Sequence, residues 1–125
     1  LFLSKALSQI EYLGDGKLAV LKVLDADLIK HNMMPDESRD IIDFIMNIES
    51  IEAAALFRED GNKTYKLSLR SKGSIEVLGV AEALEGGGHL FAAGAQIKGH
   101  YPDLKAKVIK YLLERLQNSP KDESA

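Results

Sequence analysis

The chain has 125 residues, 46% of them hydrophobic and 28% charged, with a net charge of −3. That is one domain, or one piece of a larger protein, and the balance excludes a disordered polymer. The absence of cysteine excludes disulfides and thiolate chemistry. No apolar run approaches the ~20 residues of a membrane helix, and the slight acidity argues against a general nucleic-acid coat while leaving room for a local cationic pocket.

In chain order, Leu3, Ala6, Leu7, Ile10 and Leu13 recur at helical spacing, so an amphipathic helix is expected over 4–13. Ser4 and Lys5 interrupt the N-terminal LFLSKALSQIEYL, which therefore does not read as a signal peptide. With no such leader and no span, the expected location is the cytoplasm. The chain opens on Leu1 rather than methionine; the expectation is a domain excised from a longer protein. Gly14-Asp15-Gly16 is a turn, and Leu18 to Leu24 is a nearly unbroken apolar run suited to a strand covered on both faces. Asp25 is placed to cap a short helix through His31. Met33-Met34-Pro35 breaks the chain.

From Asp36 to Glu49 the residues Ile41, Ile42, Ile45, Met46 and Ile48 make a wide apolar stripe. Asp36 and Glu37 stand at the helix end where carboxylates are favoured. Ile51 to Arg58 is a strand, joined through the turn Asp60-Gly61-Asn62 to a second strand, Lys63 to Arg70, as a hairpin. In that second strand Tyr65, Leu67 and Leu69 face one way, while Lys66, Ser68 and Arg70 face the other. A polar strand face is ordinarily just solvated; the functional alternative puts Arg70 at a strand end beside a pocket. Ser71 to Ser74 is a loop whose Ser74 caps a helix over 75–84, with Val77, Val80, Ala81 and Leu84 inward. A short strand is expected over 95–98. The last helix starts at Tyr101-Pro102-Asp103 and buries Leu104, Val108, Leu112 and Leu116. Residues 119–125 are polar, contain Pro120 and are expected to fray. The sum is an α/β (α+β) domain, a mixed sheet of four to five strands flanked by helices.

From the end of the expected helix over 75–84 through the last strand runs EGGGHLFAAGAQIKG, Glu85 to Gly99. Three consecutive glycines exceed what a helix stop requires. His89 to Ala93 can form a helical turn closed by Gly94. The glycines would then lie at a helix N-terminus with several amides unpaired, an anion site to which His89 adds a donor. The spacing matches neither a Walker loop nor G-x-G-x-x-G. Bare glycine turns and structural histidines are common, so both readings stand on physics alone.

The stretch resembles the signature of the DHH-associated domain of type 1, G-G-G-H-x-x-A-A-G followed by a strand. SLRSKGSIEVLGVAEALEGGGH, Ser68 to His89, is similar to that family's arginine-serine strand end, connecting helix and glycine motif in order. LFRED, Leu56 to Asp60, fits the preceding strand. The resemblance implies three parts. Residues 1–35 would link from a missing N-terminal DHH catalytic domain and pack on the sheet. Residues 36–118 would form the substrate-binding domain, and 119–125 a tail.

In DHH phosphoesterases the catalytic half binds two manganese ions that activate water for attack on a phosphoester. The resemblance therefore implies manganese in the full-length protein and no cofactor on this fragment. It implies a fragment that binds but does not hydrolyse. Carried over by position, Gly86, Gly87 and Gly88 offer backbone donors, His89 contacts phosphate, Arg70 pairs with a phosphate and Ser71 adds a hydroxyl. Arg58 and Lys72 are further candidates that also read as solvated charges. Leu90-Phe91 stands where the oligoribonuclease and phospho-adenosine phosphatase branch of that family often has polar residues; Phe91 is either core or a stacking surface for a base.

Expected substrates are short oligonucleotides, a nucleoside bisphosphate, or a linear or cyclic dinucleotide. Expected partners are the DHH domain of the same chain, with no membrane; a homodimer of the full-length form is left open. The alternative is a stand-alone nucleic-acid or tRNA-binding domain, as in RecJ-like exonucleases or alanyl-tRNA synthetase. Versions in the synthetase typically lack the histidine after the glycines, so His89 favours the phosphoesterase. Asp25, Asp27 and His31 lack the spacing of a metal site, and His31 and His100 fall in expected surface loops.

Overall fold

The computed structural model describes residues 8–24 and 38–118. They form a six-stranded mixed sheet in the order β1-β2-β3-β4-β6-β5. The strands are β1 (Glu11–Leu13), β2 (Leu18–Val23), β3 (Ala53–Glu59), β4 (Thr64–Ser71), β5 (Gly87–His89) and β6 (Ala92–Lys98). The helices are α1 (Ser38–Met46), α2 (Leu78–Ala83) and α3 (Tyr101–Asn118). β2 and β3 are parallel, and the other neighbours are antiparallel. The sheet has slightly more strands than the expected four to five; the short edges β1 and β5 are the ones the sequence did not mark. Among the described residues no helix is long and apolar enough to cross a membrane.

Sequence periodicity translates directly into layers. On one face Phe57, Leu67, Leu69, Ala95 and Ile97 pack with Ile75, Val77, Val80 and Ala81 around α2 and with Val108 and Leu112 of α3. On the other face Ala19, Leu21, Val23, Ala54 and Leu56 pack under Ile41, Ile42 and Ile45 of α1. β2 is buried on both sides, which is why its sequence is a continuous apolar run. β4 alternates because only its odd-numbered residues are covered: Tyr65, Leu67 and Leu69 are buried, and Lys66, Ser68 and Arg70 are half-exposed.

Three expectations are corrected. Residues 11–13 are not helical; Glu11, Tyr12 and Leu13 pair with Val20, Ala19 and Leu18 across the turn at 14–17. A three-residue strand at an edge is defined by its partner, and the helical spacing of Leu3 to Leu13 does not register it. Ser74 does not cap a helix: its hydroxyl donates to Glu52 at 3.0 Å, and α2 begins at Leu78 with Val77 as an N-cap that makes no side-chain bond. Residues 89–93 are not a helical turn but the bend and flanks of a hairpin. The expected helix from Asp25 to His31, the break at Met33 to Pro35 and the tail 119–125 lie outside the described residues.

Tyr101 ties α3 to the sheet. Its ring stands edge-on to Phe57 with centroids 5.3 Å apart, lies 5.5 Å from Tyr65, and carries the Lys22 ammonium 4.3 Å from its centroid. Lys105, one turn on, pairs with Glu11 of β1. Burial pushes the Tyr101 phenol up to about 12, helped by the Glu11 carboxylate and by Tyr65. An unfolded tyrosine ionises near 10. The folded chain thus keeps a proton that the unfolded chain releases, so this contribution to stability is complete below about pH 10 and is lost as the pH rises towards about 12. Urea titrations of wild type and Tyr101→Phe across that window should show the variant losing less stability with rising pH.

Candidate functional site

The register of four strands decides which side chains share a face. His89 pairs with Ala92, Ala92 with Arg70, and Arg70 with Ala54. Paired residues point the same way, so His89 and Arg70 stand in one row on the face that also holds α1. The next row is Gly87, Gly94, Ser68 and Leu56, and the one after it Gln96, Lys66 and Arg58. α1 covers the apolar end of these rows, over Ala54 and Leu56. Among the described residues no helix covers β6 or β5 on this side; His89, Gly87 and Gln96 are exposed. The result is an open shelf with a floor of small residues and cations along it.

The glycine motif builds this shelf differently from the expectation. α2 ends in a closure in which Gly86 N–H bonds to Ala81 O at 2.7 Å and Glu85 N–H to Glu82 O at 3.0 Å. The left-handed residue of that stop is Glu85, at φ 64°, rather than a glycine. Gly86 is therefore committed to the helix end. Gly87, Gly88 and His89 form β5, the outermost strand. An edge strand leaves alternate amides directed away from the sheet, so the outward donors come from a sheet edge and not from a helix N-terminus.

Two of the three glycines have a steric reason in the fold. A Cβ at Gly86 would lie 2.1 Å from Gly94 O, and one at Gly88, where φ is 137°, would lie 2.7 Å from Ala93 Cα. Gly87 has neither cause. Its φ is not in the left-handed region, and a Cβ there would meet nothing within 4 Å. A bare backbone on an uncovered face, required neither by conformation nor by packing, leaves room for something to approach it.

The tip of the β5–β6 hairpin, Leu90-Phe91, is fixed by its main chain. Leu90 O accepts from Val77 N–H at 2.8 Å and Leu78 N–H at 3.3 Å, which satisfies the start of α2 in place of a side-chain cap. Phe91 O accepts from Ser71 N–H at 2.9 Å. Both side chains are exposed, Leu90 by 48% and Phe91 by 40%, so the reading of Phe91 as core is corrected: its carbonyl, not its ring, is what the fold uses.

The remaining candidates separate. Arg70 is half-buried and its Nη1 donates to Leu69 O at 3.0 Å; among the described residues no carboxylate is in ion-pair range of it. Ser71 falls on the opposite side of β4, and its Oγ accepts from Gly73 N–H at 3.1 Å and Ile75 N–H at 3.4 Å, a local turn. The Lys72 ammonium donates to Ile48 O at 2.7 Å and Glu49 O at 3.2 Å, clamping the turn after α1. Arg58 lies on the shelf, 3.9 Å from Asp60, with its side chain only 11% exposed. The structure thus sets Arg70, His89, Gly87 and Arg58 on one face of the sheet, Arg58 two rows from Arg70, and gives Ser71, Lys72 and Gly86 structural bonds. Lys66, Ser68, Gln96 and Lys98 join the same face, Lys98 through its pairing with Thr64. The even-numbered alternation of β4 signalled half of this set; the other half lies in the strand expected over 95–98, and its pairing with β4 is what puts it on this face. Among the described residues no group of three or more His, Asp or Glu could hold a metal ion.

The family model described as DHHA1 domain matches residues 15–118. The Bacillus subtilis cyclic-di-AMP phosphodiesterase GdpP is 30% identical over 97 residues, which are 70% of this chain and 15% of that protein. An exopolyphosphatase-related protein of Bacteroides fragilis superposes at TM-score 0.78 with 25% identity, covering 93% of this chain and 34% of that one. The pGpG-specific phosphodiesterase PggH of Vibrio superposes at 0.66 with 12% identity over 91% of this chain and 38% of that one, a likeness of fold. The chain therefore spans a minor part of each.

The glycine argument makes a paired test. Gly87→Ala should leave the free energy of unfolding in urea nearly unchanged, within about 0.5 kcal/mol. Gly86→Ala should cost about 1–3 kcal/mol, because the new methyl meets backbone.

Proposed function

Because the chain belongs to the DHHA1 domain family, we propose that it is the substrate-holding half of a phosphoesterase, gripping a phosphate and its nucleotide on the open shelf while a DHH catalytic domain of the same protein faces it. The observation that carries this reading is the row that sets Arg70 and His89 on either side of Ala92, next to the exposed row of Gly94 and Gly87. A guanidinium with no carboxylate partner among the described residues keeps its fork for a planar oxyanion. The edge amides of β5 add uncharged donors, and bare Gly87 lets the ligand reach them. GdpP, by its name, acts on a cyclic dinucleotide; for this chain the proposed ligands are short oligonucleotides, nucleoside bisphosphates, or linear or cyclic dinucleotides.

The roles divide by chemistry. Arg70 anchors one phosphate by charge. His89 donates from the far side of the row, and Gly87 sets the depth of approach. Manganese, proposed to be held by the catalytic domain, would supply the activated water; this chain holds the phosphoester still and oriented.

Arg70→Ala should weaken binding of a 5′-phosphorylated dinucleotide by about 1.5–3 kcal/mol, the range of a hydrogen bond to a charged group. Unchanged affinity in a calorimetric titration removes Arg70 from the site and with it this reading. His89→Ala should slow turnover by the full-length protein while the circular dichroism spectrum stays the same; normal turnover would make His89 structural.

A further inference from the structure

The shelf carries more positive charge than one phosphate needs. Arg58, Lys66, Arg70 and Lys98 all lie on it, in a chain whose net charge is −3. They are not clustered at Arg70. Arg58 and Lys66 are direct cross-strand neighbours, and Lys98, paired with Thr64, flanks Lys66 on the other strand. Like charges placed opposite each other destabilise a sheet. Asp60 answers part of this: it lies 3.9 Å from Arg58 and accepts from Gln96 at 2.9 Å. Among the described residues neither Lys66 nor Lys98 is in ion-pair range of a carboxylate.

Between this group and the row of Arg70 and His89 lies the row of Ser68, Gly94 and Gly87, which has almost no side-chain volume. Lys66 and Arg70 are four residues apart on one strand, so their Cα atoms are separated by about 13 Å at the usual strand rise. The two phosphates of a nucleoside bisphosphate are joined through a single ribose. Two phosphate sites separated by the width of the Ser68 row suit a ligand with more than one nucleotide step.

Resting on the reading above, we propose a second phosphate subsite formed by Lys66 and Lys98 with Arg58 beside them, which takes an internal phosphodiester of a linear oligonucleotide whose terminal phosphate is held at Arg70 and His89. The floor of small residues lets the backbone cross from one subsite to the other. The domain would then prefer linear oligonucleotides of three or more phosphates over a mononucleotide or a bisphosphate, by counting charges along the shelf rather than by reading bases.

The experiment is calorimetric titration of the full-length protein, with chelator present to prevent turnover. The probes are a nucleoside 5′-monophosphate, a nucleoside 3′,5′-bisphosphate and a 5′-phosphorylated trinucleotide. Lys66→Ala/Lys98→Ala should weaken the trinucleotide about tenfold, leave the monophosphate and the bisphosphate within about twofold, and lower the salt slope for the trinucleotide by about one or two. Lys66→Gln/Lys98→Gln, which keeps most of each stem, should do the same. Equal loss on all three probes would mean a diffuse field and no second subsite. No loss on the trinucleotide would remove the subsite outright. Arg70→Ala, run in parallel, should weaken all three; if it weakens none, the anchoring site fails, whereas its effect persisting beside inert lysine variants sinks the second subsite alone.

Discussion

β4 is hydrogen-bonded along its whole length to β3 on one side and β6 on the other, and this double register is the constraint on which the shelf depends. A shift by one residue would send Arg70, Ser68 and Lys66 into the core and bring Leu69, Leu67 and Tyr65 out. The buried alternation of Tyr65, Leu67 and Leu69 against Phe57, Ala93, Ala95 and Ile97 forbids that shift energetically. The core under α2 and α3 thereby positions charged groups on the other side of the sheet that it never touches. What makes the other side usable is that α1 covers β2 and β3 but leaves β6 and β5 bare.

Much of this architecture was legible because burial writes periodicity into sequence. The two-sided burial of β2 produced its apolar run, the one-sided burial of β4 its alternation, and the seat of α3 its stripe through Val108 and Leu112. The elements that escaped are those whose conformation is set by a partner. β1 is three residues that matter only as neighbours of β2. β5 is two glycines and a histidine, with no strand preference of their own; β6 makes it a strand. The expected cap at Ser74 failed for a similar reason, since a distant carbonyl, that of Leu90, already served the start of α2 and freed the hydroxyl for Glu52.

Arg70, His89 and the glycines were visible through resemblance to a family, and the structure sorts them. Gly86 and Gly88 answer to the fold, Gly87 to the open face. Lys66 and Lys98 carried no distinguishing mark, because alternation tells which residues avoid the core and not whether a helix lies over them. Only the extent of α1 relative to the strand order decides that.

The hairpin tip holds β5 through two carbonyl oxygens, and Leu90 and Phe91 contribute no side chain to those bonds. Their identities are thus decoupled from the placement of the strand behind them. Relatives of this domain can exchange bulk, polarity or aromaticity at these two positions while the glycine backbone and His89 stay where they are, so the rim of the shelf is a place where lineages can diversify at little structural risk.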